Sequence, residues 1–215
     1  MLKKEFLHDV PLPDDLTQQE IFDALKNTQK VFKKLRKDSN IVLSEIIQAN
    51  NFSGIVSNVF TSELDKISDY KKFSDQAYPD LKHEKKGIGL EVKAANKAFK
   101  GGEGHNGHSG WHIVVCYRIL DNGDIEFIHV QIANLKGIKE GLQSDWKYVP
   151  SKLKENGSQR TETYTTTDVG TAKLRDGTVY LNTDIIKITK QRKRNRYNIK
   201  ELPVPNYSPF FWYFQ

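Results

Sequence analysis

Cysteine and methionine are nearly absent, with one of each in 215 residues. The lone thiol, Cys116, has nothing to pair with inside the chain, which excludes an intramolecular disulfide framework and points to a reducing compartment. Long apolar runs are missing too. Mean hydropathy is −0.63, and no stretch approaches the roughly 20 apolar residues of a membrane-spanning helix. The opening Met1-Leu2-Lys3-Lys4-Glu5 lacks the apolar core of a signal peptide, so the expectation is a soluble, cytoplasmic chain with no membrane partner. Neither an internal repeat nor a G-x-x-x-x-G-K-[ST] phosphate loop is present. Hydrophobic residues still make up 37% and aromatics 11%, enough for a core and against wholesale disorder. Lys and Arg outnumber Asp and Glu by 33 to 27, a net charge of +6. That excess names a polyanionic partner only if the bases are concentrated somewhere.

The pattern along the chain predicts one domain over 1–215, in three parts. In the first, 1–50, Ile21, Phe22, Leu25, Val31, Phe32 and Leu35 recur at helical spacing. They predict an amphipathic helix ending between 37 and 40, then a second over 41–48, broken at Asn50-Asn51. The second part, 54–135, opens with a helix over 54–67 and continues, after a polar connection at 69–78, with strands at 88–95, 111–120 and 125–133. The last two strands flank the hairpin signal Asp121-Asn122-Gly123-Asp124. Residues 111–117 are apolar on both alternating faces, as a central strand requires, and Cys116 within them reads as a small core residue. The third part, 136–215, is weaker in signal, with strands predicted at 178–181 and 185–188. Helices first and a mixed sheet afterwards imply an α/β (α+β) domain: a central mixed sheet flanked by helices, with a helical N-terminal segment.

The segment that carries chemistry runs from Tyr78-Pro79-Asp80 through a Lys- and Gly-rich turn to Ile88-Gly89-Leu90-Glu91-Val92-Lys93. Strand alternation puts Glu91 and Lys93 on one face, with Leu90 and Val92 on the other. Two ionised groups in an apolar strand are costly unless an organised polar site receives them. A hairpin would bring the Asp80 carboxylate to that of Glu91, and a hard divalent cation with oxygen ligands relieves the repulsion between them. Other acid-x-Lys triplets occur at Asp69-Tyr70-Lys71, Glu84-Lys85-Lys86 and Asp145-Trp146-Lys147. Only Glu91-Val92-Lys93 sits in an apolar strand preceded at hairpin distance by Pro-Asp.

These residues resemble the PD-(D/E)xK nuclease superfamily, with Pro79-Asp80 as its PD and Glu91-Val92-Lys93 as its ExK. The resemblance is most like a type II restriction endonuclease. It implies a restriction-endonuclease-like fold and one or two Mg²⁺ ions held by Asp80, Glu91 and the Val92 carbonyl, with Lys93 serving the attacking water. It also implies a homodimer that cuts double-stranded DNA to leave a 5′-phosphate. In that superfamily a helix before the hairpin often supplies a further acid, and Glu63 matches by position. Repair and junction-resolving nucleases, or a catalytically silent DNA-binding module, would share the same features.

The remaining candidates are DNA contacts. The glycine-rich stretch 101–110 contains a literal G-x-G-x-x-G, but a strand rather than a helix follows, so the dinucleotide reading is discarded. His105, His108 and His112 have a spacing that could suit zinc, though no cysteine or carboxylate pattern completes such a site. With Lys97, Lys100, His105, Asn106, His108 and Ser109 this stretch reads better as a flexible loop beside DNA. Bases cluster from 187 to 200, including Arg192, Lys193, Arg194 and Arg196, as a phosphate-contacting ridge. Arg160, within the Thr-rich stretch 159–167, is a candidate for reading bases. The aromatic end 207–214 either closes the core or forms a subunit interface.

Overall fold

Thr17 begins the first helix with a capping box. Its hydroxyl accepts the Glu20 N–H at 3.2 Å while the Glu20 carboxylate accepts the Thr17 N–H at 2.8 Å. From there α1 runs over Gln18–Ser39 and stops at Asn40, whose left-handed backbone (φ 54°) closes the helix. The computed structural model describes residues 2–73, 78–100, 103–104, 107–151, 157, 162–188 and 202–213.

A short helix, α2 (Leu43–Ile46), leads into α3 (Ala49–Ile67). Asn50 and Asn51 lie in the first turn of α3 instead of breaking it. The first-turn N–H groups have no intrahelical partner in any case, so polar residues cost little there. The expected second helix shrinks accordingly. Strands follow as β1 (Tyr70–Lys72), β2 (Leu81–His83), β3 (Gly89–Ala95), β4 (Glu103–Gly104), β5 (Gly110–Ile119), β6 (Ile125–Leu135), β7 (Trp146–Val149) and β8 (Thr163–Thr166). Helix α4 (Asp168–Asp176) and strand β9 (Thr178–Leu181) complete the regular structure. Thr167 caps α4 by accepting the Gly170 N–H at 3.1 Å.

The main sheet has the order β1-β2-β3-β5-β6-β9, antiparallel throughout except for the parallel pair β3/β5. A smaller antiparallel sheet has the order β4-β8-β7. This is the expected mixed α+β class. On one face of the main sheet α1 and α3 bury Ile21, Phe22, Leu25, Phe52, Val56 and Phe60 against Leu90, Val92, Ile113, Val115 and Phe127. On the other face Val114, Cys116 and Ile128 pack with Trp146, Leu174 and Phe210. β5 is therefore covered on both sides, and burial pushes the Cys116 thiol up to about 12. Among the described residues no helix is long and apolar enough to cross a membrane.

Residues 185–188 do not form the expected strand. Asn182 turns the chain: its carbonyl accepts the Ile186 N–H at 2.9 Å and its side chain the Asp184 N–H at 3.1 Å. The turn drops Ile186 into the second core. The stretch 69–78, expected as a connection, contributes the edge strand β1. At the aromatic end Phe210 is buried, its ring 5.9 Å from that of Phe99, while Trp212 and Tyr213 are exposed.

Asp145 ties β6 to α4. Its carboxylate accepts the Lys136 N–H at 2.7 Å and pairs with Lys173 at 2.6 Å, while its carbonyl accepts the Thr167 N–H at 2.8 Å. Asp145→Ala is expected to lower the unfolding free energy in urea by about 1–3 kcal/mol, because buried donors lose their acceptor. Lys147→Ala, on the exposed side of β7, should leave it within error of the wild type.

Candidate active site

Gly89 is glycine because Pro79 lies against it: a Cβ there would fall 2.6 Å from the Pro79 ring. The contact seats the Pro79-Asp80 step beside the start of β3, and Asp80 Oδ2 accepts the Val92 N–H at 2.8 Å. β2 pairs with β3 only through Leu81 with Leu90 and Lys82 with Gly89. Beyond residue 90 that edge of β3 has no partner strand among the described residues, and a side-chain carboxylate stands in for the missing ladder acceptor. The N–H and C=O of one strand residue point to the same edge, so the Val92 carbonyl is directed toward the edge that Asp80 occupies.

Leu90 and Val92 bury on the helix side, which sends Glu91 and Lys93 to the opposite face. There Glu91 lies level with His112 of β5, and Lys93 with Val114. The Lys93 ammonium donates a short hydrogen bond to Glu91 Oε1. Side-chain exposure is 12% for Glu91 and 33% for Lys93, so the pair is sheltered with the lysine outermost. Asp80 is held above the ordinary carboxylate range, by burial first and then by the negative charge of Glu91; the Val92 N–H and the Lys93 charge oppose the shift without cancelling it. The Lys93 ammonium thus pairs with Glu91 and acts on Asp80 through its charge alone.

The decoy triplets are resolved by their partners. Lys71 bonds the Asp65 carbonyl, Lys86 pairs with Asp14 and Asp15, and Asp145 pairs with Lys173. Among the described residues, only in Glu91-Val92-Lys93 do acid and lysine pair with each other beside a second carboxylate.

A cleft of about 540 Å³ opens at this edge. Asp80, Lys93 and Asn96 line it on the sheet side, Ser57 and Asn58 of α3 form one wall, and Thr163 of β8 closes the far side. Glu63 does not line it. It follows Asn58 by five residues, about 140° further round the helix, and is buried in an ion pair with Lys66 at 2.5 Å. The helix that carries Glu63 does border the cleft, through Asn50, Ser53, Gly54, Ser57 and Asn58. Asn50, Gly54 and Asn58, four residues apart, lie on the face of α3 that lines the cleft.

Residues 107–110 are fixed where the glycine-rich sequence predicts a flexible loop. The Tyr78 hydroxyl donates a short hydrogen bond to the Ser109 carbonyl, and its ring stacks on His108 at 4.1 Å. Trp146 Nε1 donates to the His108 carbonyl at 3.0 Å. Ser109 Oγ donates to Glu140 and accepts the Gly137 N–H at 2.9 Å. His112 is buried with Nδ1 2.9 Å from the Gly110 carbonyl. Burial lowers it to about 4, which leaves it neutral, and burial with the nearby Glu91 raises Tyr78 to about 12. This brace, carried by Tyr78 and Trp146, escaped sequence reasoning because it joins segments far apart in the chain.

Lys97 and Lys100 are exposed on the turn after β3, and Lys100 lines the cleft while Lys97 does not. Phe99 sets that turn. Its backbone is left-handed (φ 57°), its N–H donates to His129 Nδ1 at 3.2 Å, and Gln131 holds the Lys100 carbonyl at 3.0 Å. His105, Asn106, Arg160, Arg192, Lys193, Arg194 and Arg196 lie outside the described residues.

The donor set suits a hard cation. Among the described residues no group of three or more His, Cys, Asp or Glu side chains is arranged to hold a metal. Two carboxylates and a carbonyl, completed by water, would suit magnesium, and Asp80 is raised by burial first and by the charge of Glu91 second. Comparison with protein-family models, with curated proteins and with solved structures gave no match for this chain.

A carboxyl group held above its ordinary range costs stability once ionised, and that cost grows as pH rises through the raised value. Asp80→Asn keeps an acceptor for the Val92 N–H and removes the charge. In EDTA at neutral pH its unfolding midpoint should exceed that of the wild type, with the gap closing as pH falls below the carboxylate range. Mg²⁺ should raise the wild-type midpoint and leave that of the variant unmoved. Equal midpoints at all pH values, together with an equal response to Mg²⁺, would remove the site.

Proposed function

We propose that the protein is a Mg²⁺-dependent nuclease that hydrolyses phosphodiester bonds in double-stranded DNA, as a type II restriction endonuclease does. The observation that carries this reading is the meeting of Asp80, Glu91 and Lys93 at the uncovered edge of β3, in the arrangement that the PD-(D/E)xK resemblance implies. Asp80, Glu91 and the Val92 carbonyl would hold the metal. When bound, Mg²⁺ acidifies a coordinated water and neutralises charge on the phosphate.

Lys93 has two tasks. In the resting site its ammonium offsets part of the charge of Glu91. During the reaction Lys93 would orient the attacking water and stabilise the negative charge that grows on the transferring phosphate in the transition state. The water oxygen bonds to phosphorus as it gives up a proton to solvent, the bond to the 3′ oxygen breaks, and that oxygen takes a proton from solvent, so the products are a 3′-hydroxyl and a 5′-phosphate. The exposed Lys100, on its braced turn, receives a neighbouring phosphate. Cutting both strands at a palindrome needs two such sites related by a dyad, so the active species is a homodimer.

Incubation with phage or plasmid DNA and Mg²⁺ should give discrete fragments, and EDTA should abolish them. Lys93→Ala should reduce the rate by about 10²–10³-fold, the scale for losing one stabiliser of transition-state charge, while DNA binding in EDTA persists. A wild type that leaves duplex DNA intact across a wide range of enzyme and salt would overturn the nuclease reading.

A further inference from the structure

The cleft beside Asp80 has a one-sided chemistry. Among the described residues no aromatic ring lines it, so these residues offer no face on which a base could stack. Its polar groups are those that serve sugar and phosphate oxygens: hydroxyls, the amides of Asn50, Asn58 and Asn96, and the ammonium groups of Lys93 and Lys100. Among the described residues no side-chain hydrogen bond engages those three amides or the Lys100 ammonium. Among the described residues Asp80 is the one acid in the lining.

Gly54 adds an independent observation. It is the sixth residue of α3, inside the helix, where glycine is the least favourable residue apart from proline. Packing does not demand it: a Cβ built there meets nothing within 4 Å. Its backbone does not demand it either, since Gly54 is absent from the positive-φ positions. The open space above Gly54 is the cleft itself. A helix that gives up stability for a missing side chain facing a polar cleft is shaped by what enters the cleft.

We propose that α3 is the wall along which a nucleic-acid sugar-phosphate backbone runs. The backbone comes closest at Gly54, lies between Asn50 and Asn58, and faces Lys100 and Asn96 across the cleft. The proposal rests on the nuclease reading for the identity of this backbone as that of the cut strand, but not for its chemical class. Because the contacts fall on sugar and phosphate, the groove is indifferent to base sequence, and sequence readout lies elsewhere.

The test measures binding of fluorescein-labelled DNA duplexes of unrelated sequence at low salt in EDTA, cleavage in Mg²⁺, and the unfolding midpoint. The proteins are the wild type, Gly54→Ala, Gly54→Gln and Lys100→Ala. Gly54→Ala should raise the midpoint yet weaken binding. Gly54→Gln, which fills the groove, should weaken binding by at least about tenfold, equivalent to 1.4 kcal/mol, and by the same factor for every duplex. Lys100→Ala should flatten the salt dependence of binding. If Gly54→Gln binds and cuts like the wild type, the groove proposal is overturned and the nuclease reading stands. A wild type that binds but never cuts, combined with loss of binding in Gly54→Gln, supports the groove and overturns the nuclease reading. A wild type that neither binds nor cuts overturns both, and a Gly54→Ala variant less stable than the wild type overturns the argument from glycine.

Discussion

The site depends on one hydrogen bond, from the Val92 N–H to the Asp80 carboxylate. β2 accompanies β3 for two residue pairs and then leaves it, so an edge N–H of a central-sheet strand would otherwise face outward. By accepting that N–H, Asp80 is positioned by the sheet itself and not by a loop. Two consequences follow from strand geometry. Glu91 and Lys93 must flank Val92 on the face away from α3, and the Val92 carbonyl must share the edge with Asp80. Had β2 continued for two more residues, ladder bonds would have satisfied the edge, and there would be neither cleft nor carboxylate pair.

Fixing a carboxylate in this way has a cost that the surroundings keep from relaxing. Burial and Glu91 both disfavour the charged form of Asp80, and a side chain free to move would swing to water. Several contacts restrain it: Pro79 on Gly89, Tyr78 bonded to the Ser109 carbonyl, and His108 held between the Tyr78 ring and the Trp146 indole. Ser109 is tied in turn to Glu140 and Gly137. On the other side of the cleft Phe99 accepts a left-handed backbone, unfavourable for a bulky residue, so that its ring can pack on His129 and Phe210. That anchor determines where Lys100 stands. Polar site groups are thus held by apolar and aromatic contacts, and the candidate chemistry depends on packing several strands away.

The parts of this arrangement that could be read in the sequence are those set by local periodicity. Alternation alone placed Glu91 and Lys93 together, and the apolar run through residues 111–117 announced a strand covered on both faces. The pairing of Asp80 with β3 followed from hairpin distance. What stayed hidden depends on partners remote in the chain. The face of α3 that meets the cleft is decided by how that helix packs on β3, so Glu63 and Asn58 could not be ranked by position alone. β4, two residues long, exists only through its pairing with β8, some sixty positions later, and no periodicity marks so short a strand. Helix α4 did carry a local signal in the Thr167 cap, but a Thr-rich approach also suits an edge strand, and β8 shows that both readings hold within five residues. The strand expected at 185–188 failed for the converse reason: β-branched residues favour extension, yet the side chain of Asn182 offered the backbone a turn first.

The charge balance explains why such a site would be divided in two. At its inner end two carboxylates face one ammonium, so an approaching phosphate meets net negative charge until a cation or protons compensate it. At its outer end Asn96, Lys100 and the amides of α3 present donors with no acid among them. On the proposed reading a polyanionic strand can therefore be held at the outer end without metal, while its scissile phosphate is kept out of the inner end. On the same reading a divalent cation held by Asp80, Glu91 and the Val92 carbonyl would lower that barrier. The small excess of basic residues in the whole chain conceals this division between a sheltered carboxylate pair and a set of exposed donors.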